Sequence, residues 1–129
     1  MHETRLPTRW VDFDALAHVT HAVYPVFLDE AWDDFLSSRL GSFSDWPYVL
    51  VHVSIDYRRE LRHPTPEVLV RTRVVEVGRT SVTFEQEVCG PDGTPAVSAR
   101  CVIAAWDAGA RATRAITAAE RAKLLAASP

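Results

Sequence analysis

Between Tyr48 and Trp106 the chain leaves almost no room for anything but β-strand, and this stretch limits the fold more than any other feature. Val49, Val51, Val53, Ile55 and Tyr57 alternate with Leu50, His52, Ser54 and Asp56, a period-two pattern. Val68, Val70 and Val74 share a face, as do Val82, Phe84 and Val88 beyond Gly78, and Ala96 to Trp106 is a last, mostly apolar run. The breaks between these runs, at Pro64-Thr65-Pro66, at Gly78 and at Pro91 to Thr94, are short. Short connections predict an antiparallel meander.

Ahead of the strands lies one long helical pattern. From about Tyr24 to Leu40 the apolar side chains Tyr24, Phe27, Leu28, Ala31, Trp32, Phe35 and Leu36 fall at i, i+3, i+4, i+7, i+8, i+11 and i+12. Asp29, Glu30, Asp33 and Asp34 occupy the other, mostly polar face. Pro25 suits a first turn and Gly41 a stop. So aromatic a stripe fits a helix enclosed by a sheet. A first strand is expected over about Thr4 to Phe13, and Thr117 with Glu120 three residues on predicts a capped short helix after the last strand. The 129 residues form one domain, 1–129, without repeat or linker.

Composition narrows the function classes. A formal charge of −3, from 17 acidic and 14 basic residues, provides no basic face for nucleic acid. No apolar run approaches the roughly 20 residues that span a bilayer, and MHETRLPTRW lacks a signal-peptide core; a cytoplasmic protein is expected. Cys89 and Cys101 flank the turn at Asp92-Gly93. Read as a two-residue turn, it sets Cys89 opposite Ala96, so both cysteines are expected as buried free thiols.

The order of elements, a strand, a long helix and four long antiparallel strands, is an α+β arrangement in which the sheet curls around the helix. Pattern alone admits both a hotdog fold and a cystatin-like roll. The stretch RWVDFDALAHVTHAVYP, residues 9–25, separates them. It resembles the opening of hotdog acyl-CoA thioesterases of the 4-hydroxybenzoyl-CoA thioesterase type, R-x-x-D-x-D-x-x-G-H-V-x-x-x-x-Y, through Arg9, Asp12, Asp14, His18, Val19 and Tyr24 in unbroken spacing. THAVY is similar to the Y-H-A-N-Y string of the branch associated with the Tol-Pal system, which aligns His21 with that branch's histidine. The strand-rich second half is similar as well, so the resemblance covers nearly the whole chain. Ala17 stands where the family has glycine, which predicts an altered turn or a residue kept at negative φ. Trp10 stands where the Tol-Pal branch often has tyrosine, and Pro64-Thr65-Pro66-Glu67 replaces a Gly-Asp.

A thioester is an activated acyl group, and hydrolysis needs a carboxylate plus donors aimed at the developing oxyanion. The resemblance implies that Asp14 is the catalytic carboxylate, acting as nucleophile or general base, and that the backbone N–H of His21 polarises the carbonyl. The start of the long helix would reinforce that donor. The His21 side chain is a second catalytic candidate, orienting water or protonating the leaving thiolate. His18 is read as bracing the loop beside the substrate, and Asp12 as anchoring the turn through backbone N–H groups. Tyr24 lines the site. Coenzyme A carries phosphates, so Arg58 and Arg59 (with Arg62), and Arg79 with Ser81 on the next strand, are the substrate-binding candidates.

Several alternatives accompany this reading. Asp12, Asp14, His18 and His21 have the residue types of a Zn²⁺ or Fe²⁺ shell, but His-x-x-His across a strand–helix junction lacks the i, i+4 register, and no metal is expected. Glu30 is a reserve catalyst, because another hotdog lineage uses a helix carboxylate. His52 is read as structural. No cofactor is implied, since coenzyme A is part of the substrate. The family's sheets pair edge to edge, which implies a homodimer or homotetramer with the site between subunits. Besides an acyl-CoA hydrolase, the sequence admits a thioesterase for carrier-protein-bound acyl chains or a non-catalytic acyl-binding module. Phe43, Trp46 and Tyr48 are expected to shape the acyl pocket.

Overall fold

The computed structural model describes residues 1–42 and 44–126; Phe43 lies outside them. The elements are β1 (His2–Pro7), α1 (Tyr24–Leu40), β2 (Tyr48–Tyr57), β3 (Glu67–Val77), β4 (Ser81–Cys89), β5 (Pro95–Asp107), the short β6 (Ala112–Thr113) and α2 (Ala118–Leu125). All pairings are antiparallel, in the order β1-β3-β4-β5-β2, with β6 beside β5. The sheet curls around α1 as a hotdog fold.

The meander expected over all four long strands holds only for β3-β4-β5. Strand β2 lies at the far edge beside β5, and the segment 58–66 carries the chain across to β3. Three strand spacings are about 14 Å, and nine extended residues span roughly twice that. A connection that is short in sequence therefore suffices to cross the end of the sheet. The same segment is pinned to the chain ahead of α1, through the Val19 N–H to the Leu61 carbonyl (2.8 Å) and the His63 N–H to the Ala17 carbonyl (2.7 Å).

The seven residues of the α1 stripe are all buried, against Val68, Val70, Val82, Phe84, Val88 and Ile103 of the sheet. Each large apolar side chain buried in this way contributes about 1.5–3 kcal/mol. Two polar side chains, Gln86 and Thr72, are enclosed among them. Gln86 is 2% exposed; its amide donates to the Leu28 carbonyl of α1 (3.1 Å) and to Thr72 Oγ1 (3.2 Å), and its carbonyl accepts from the Cys101 thiol (3.2 Å). Both cysteines are free and buried. Cys89 pairs with Pro95 rather than Ala96. The turn between them is longer than two residues: Gly93 at φ +85° donates to the Gly90 carbonyl, and Gly90 donates to Thr94.

Strand β2 departs from its sequence pattern because a bulge at Val51 shifts the register between Leu50 and His52. Tyr48, Leu50, Val53, Ile55 and Tyr57 consequently point to the helix side. Val51 is left 60% exposed, and His52, read as structural, is exposed on the outer face. Helix α1 packs chiefly on β1, β3 and β4 and reaches β2 through Tyr48 and Tyr57, so Leu50 and Tyr57 remain half exposed beside a strand edge that has no partner among the described residues. At the other end α2 carries the capping box of Thr117 and Glu120. Glu120 also accepts two bonds from Arg114 (2.9 and 2.8 Å) and one from the Trp46 indole (2.7 Å).

Candidate active site

The first strand stops at Pro7, before the expected Phe13, and this relocates the carboxylates. Residues Trp10–Asp12 form a 3-10 turn, which breaks the shared strand face on which Asp12 and Asp14 would have lain. Asp12 is 1% exposed and accepts from the Arg9 N–H (2.7 Å) and the Arg9 guanidinium (2.9 Å), while its own carbonyl takes the Thr20 N–H (2.9 Å). It anchors the turn, as expected. Asp14 is exposed and lies not at a strand end but in a tight hairpin closed by the Phe13–Val19 bridge. Its Oδ1 accepts the N–H groups of Leu16 (2.9 Å) and His18 (3.1 Å), and its Oδ2 has no hydrogen-bond partner among the described residues. Backbone donors thus aim the carboxylate and leave one oxygen available.

Ala17 closes that hairpin at φ +61°, so the alternative of a negative φ is not realised. Four short local bonds impose the left-handed conformation on a residue with a Cβ, among them the Asp14 N–H to the His18 carbonyl (2.9 Å) and the Ala17 N–H to the Asp14 carbonyl (3.0 Å).

Beyond the hairpin, a 3-10 turn over His21–Val23 runs directly into α1. Thr20 does not cap it with its side chain. The Val23 N–H is taken by the Thr20 carbonyl (3.0 Å), whereas those of His21 and Ala22 have no acceptor among the described residues. Two free donors at a helix start make a site for an anionic oxygen. Tyr57 holds this turn in place by donating to the His21 carbonyl (3.0 Å). Burial, and after it Tyr57, push the Tyr24 phenol up to about 12.

His18, His21, Tyr24, Arg58 and Arg59 come together around a depression of about 310 Å³, joined by Tyr57 and Glu60. His18 Nε2 contacts the Glu60 carboxylate, consistent with bracing. Arg58 is tethered through its side chain to Ser98 Oγ (2.8 Å), and Arg62 lies 3.7 Å from Glu60. Arg79 and Ser81 are not brought here. They form the β3–β4 turn, and Ser81 aligns through Ala104 with Val49, at the end of the sheet away from Tyr57. Tyr57 and Glu60 were missed by sequence reasoning; the only signal was that Tyr57 ends the β2 pattern beside the arginines. Among the described residues, no three of His, Cys, Asp and Glu gather so as to hold a metal ion.

A second, larger cleft of about 500 Å³ runs along α1 beside the uncovered face of β2. Pro25 stands at its head, next to the 3-10 turn. Trp32, Leu50 and Val53 give it an apolar floor, while Asp29, Glu30 and Asp33 form one wall. Tyr48 lines it, donating to Asp33 Oδ1 (3.1 Å) and accepting from the Trp32 indole (3.1 Å). Trp46 does not line it, because its ring is buried toward Arg114 and Glu120.

A family model described as the thioesterase-like superfamily matches residues 8–125. The chain is similar to the solved structure of a predicted thioesterase from Bacillus stearothermophilus, with 22% identity over 95% of this chain and 92% of that one, and a TM-score of 0.85. It is similar to the PA5185 protein from Pseudomonas aeruginosa, with 26% identity, 96% and 89% coverage and a TM-score of 0.86. A thioesterase from Thermus thermophilus, complexed with coenzyme A and Zn, aligns with 24% identity, 96% and 97% coverage and a TM-score of 0.84. None of the curated proteins matches.

Proposed function

The chain belongs to the thioesterase-like superfamily, and from that premise we propose that it hydrolyses acyl-CoA thioesters to a carboxylic acid and free coenzyme A. The observation that supports this reading is that the Asp14 hairpin runs directly into the helix start, although Asp14 itself is not among the residues lining the depression around His18, His21 and Tyr24. One carboxylate oxygen is held by two loop N–H groups and the other is unengaged, on a hairpin that leads straight to the unfilled donors of His21 and Ala22. With Asp14 as general base, it takes a proton from water as the water oxygen bonds to the thioester carbon. The carbonyl oxygen becomes negative against the His21 N–H. The C–S bond then breaks, and the thiolate takes up a proton, for which the His21 side chain is the donor. With Asp14 as nucleophile, the carboxylate attacks directly and water cleaves the resulting anhydride. Neither route uses a cofactor.

His18, through its bond to Glu60, fixes the hairpin; Tyr24, Arg58 and Arg59 line the path of the substrate. The THAVY string supports the Tol-Pal-associated branch, and the two free thiols support a cytoplasmic setting. The unpaired edge of β2, with Leu50 and Val51 exposed, supports a homodimer formed by antiparallel β2–β2 pairing. Such pairing reverses the strand ends. It carries the Arg79–Ser81 end of one subunit toward the helix-start end of the other, which is how Arg79 and Ser81 join a site at the subunit boundary. A tetramer is a pair of these dimers.

A free-thiol assay over short, long and aromatic acyl-CoAs, run beside the same acyl groups on a carrier protein, tests the proposal. Release of coenzyme A from at least one ester is expected. Turnover of carrier-bound esters alone would replace the substrate with an acyl carrier protein. No turnover of either, with acyl-CoA still bound, would make the chain a non-catalytic acyl-binding module.

A further inference from the structure

The turn that carries the helix-start donors is fixed from across the fold. Tyr57, the last residue of β2, donates its hydroxyl hydrogen to the His21 carbonyl (3.0 Å). In an α-helix that carbonyl would accept from the N–H four residues on. The residue four on is Pro25, which has no N–H to give. Tyr57 supplies a donor where the helix has none.

The phenol is itself held. Tyr57 pairs with Val97 of β5, and the N–H groups of Arg58 and Arg59 just beyond it both donate to the Ala96 carbonyl (2.9 and 3.0 Å). Its ring meets those of Tyr24 and His21 edge to face, with centroids 5.5 and 6.5 Å apart, and lines the same depression as both. A side chain anchored in the sheet therefore sets the plane of the His21–Ala22 peptide. The N–H of that peptide is the unfilled Ala22 donor, and the unfilled His21 donor lies one residue before it. A peptide gripped at its carbonyl cannot swing its N–H away, and the accepted bond strengthens that N–H as a donor by about 10–30%. Oxyanion donors are effective only when they already point to where the charge develops. Resting on the thioesterase reading above, we infer that Tyr57 is a positioning residue for hydrolysis. By gripping the His21 carbonyl it keeps the helix-start N–H groups aimed at the thioester oxygen, and it acts through that peptide rather than on the substrate.

Tyr57→Phe removes the hydroxyl and keeps the ring contacts. Kinetics are run on acetyl-, hexanoyl-, palmitoyl- and benzoyl-CoA and on the same acyl groups held by a carrier protein, and the comparison uses the ester the parent cleaves fastest. Deleting an oxyanion donor outright costs about 100- to 1,000-fold in kcat, so misaiming one should cost about tenfold or more. KM should stay within about twofold, because the bond counts in the transition state rather than on binding. The shape of the kcat–pH profile should not change, since Tyr57 moves no proton. In an Asp14→Asn background, which holds the ester uncleaved, carbonyl-¹³C difference infrared spectroscopy gives a readout besides turnover. Adding Tyr57→Phe there should move the C=O stretch of the bound thioester to higher frequency. A parental kcat, a rise in KM alone, a lost limb of the pH profile or an unmoved C=O stretch each overturns the inference while leaving the hydrolase intact. If the parent cleaves none of these esters, the thioesterase reading fails and takes this inference with it.

Discussion

Replacing Ala17 with glycine should stabilise the protein. Ala17 sits at φ +61° in the hairpin that holds Asp14, pinned by bonds from the N–H groups of Leu16 and His18 to Asp14 Oδ1 and by the Ala17 N–H to the Asp14 carbonyl. A left-handed residue with a Cβ costs about 1–2 kcal/mol. Glycine removes that cost but adds about 0.4–1 kcal/mol of unfolded-chain entropy. The difference is a gain of about 0.5–1 kcal/mol, or about 2–4 °C in Tm for a chain of this size. Ala17→Val is the opposite control, with a loss of about 1–3 kcal/mol, because a β-branched side chain resists positive φ. Urea and thermal unfolding of both variants measure this, and thioester hydrolysis by the glycine variant should persist because every bond to Asp14 is retained. A glycine variant less stable than the parent, or a neutral valine variant, would refute the assignment of a strained left-handed Ala17.

Two other predictions concern groups away from the site. Glu120 is held down to about 2, chiefly by the Arg114 guanidinium, with help from the Thr117 N–H and the Trp46 indole against the opposing effect of partial burial. Its folded value lies below its unfolded one, so the stabilisation is complete above about pH 4.5 and disappears as the pH falls toward 2. It amounts to at most about 3 kcal/mol, and Glu120→Gln should flatten that part of the stability–pH curve measured by urea denaturation. Burial pushes the Cys101 thiol up to about 12 and also raises Cys89, so a disulfide reagent at pH 8 should label neither cysteine in the folded protein and both after unfolding.

The helix and the register-dependent features were not equally readable from residue order. The α1 stripe was, because seven apolar side chains at helical spacing leave a single face to bury. So was the capping box at Thr117 and Glu120, which is a local contact. The position of β2 was not. Short connections favour neighbours in sequence, but nothing in residues 58–66 encodes that they pass over the end of the sheet, since that depends on which edges are still unpaired. The bulge at Val51 likewise has no mark in a run of alternating valines, and it alone determines that Leu50 and Val53, rather than Val51, face the cleft. In the motif, Asp14 and His21 stood out as candidates only through the family resemblance. Their geometry was not readable, because Arg9 folds back onto Asp12 and turns the expected strand end into a 3-10 turn.

The central claim, that the Asp14 carboxylate does the chemistry, is tested most directly by Asp14→Asn. Asparagine keeps an oxygen for the Leu16 and His18 N–H groups, so the hairpin should survive and unfolding should shift by no more than about 0.5 kcal/mol, while the nucleophile or base is lost. Steady-state release of coenzyme A from the best acyl-CoA should fall by at least about 100-fold in kcat with little change in KM. A folded Asp14→Asn protein that turns over at the parental rate would contradict the account.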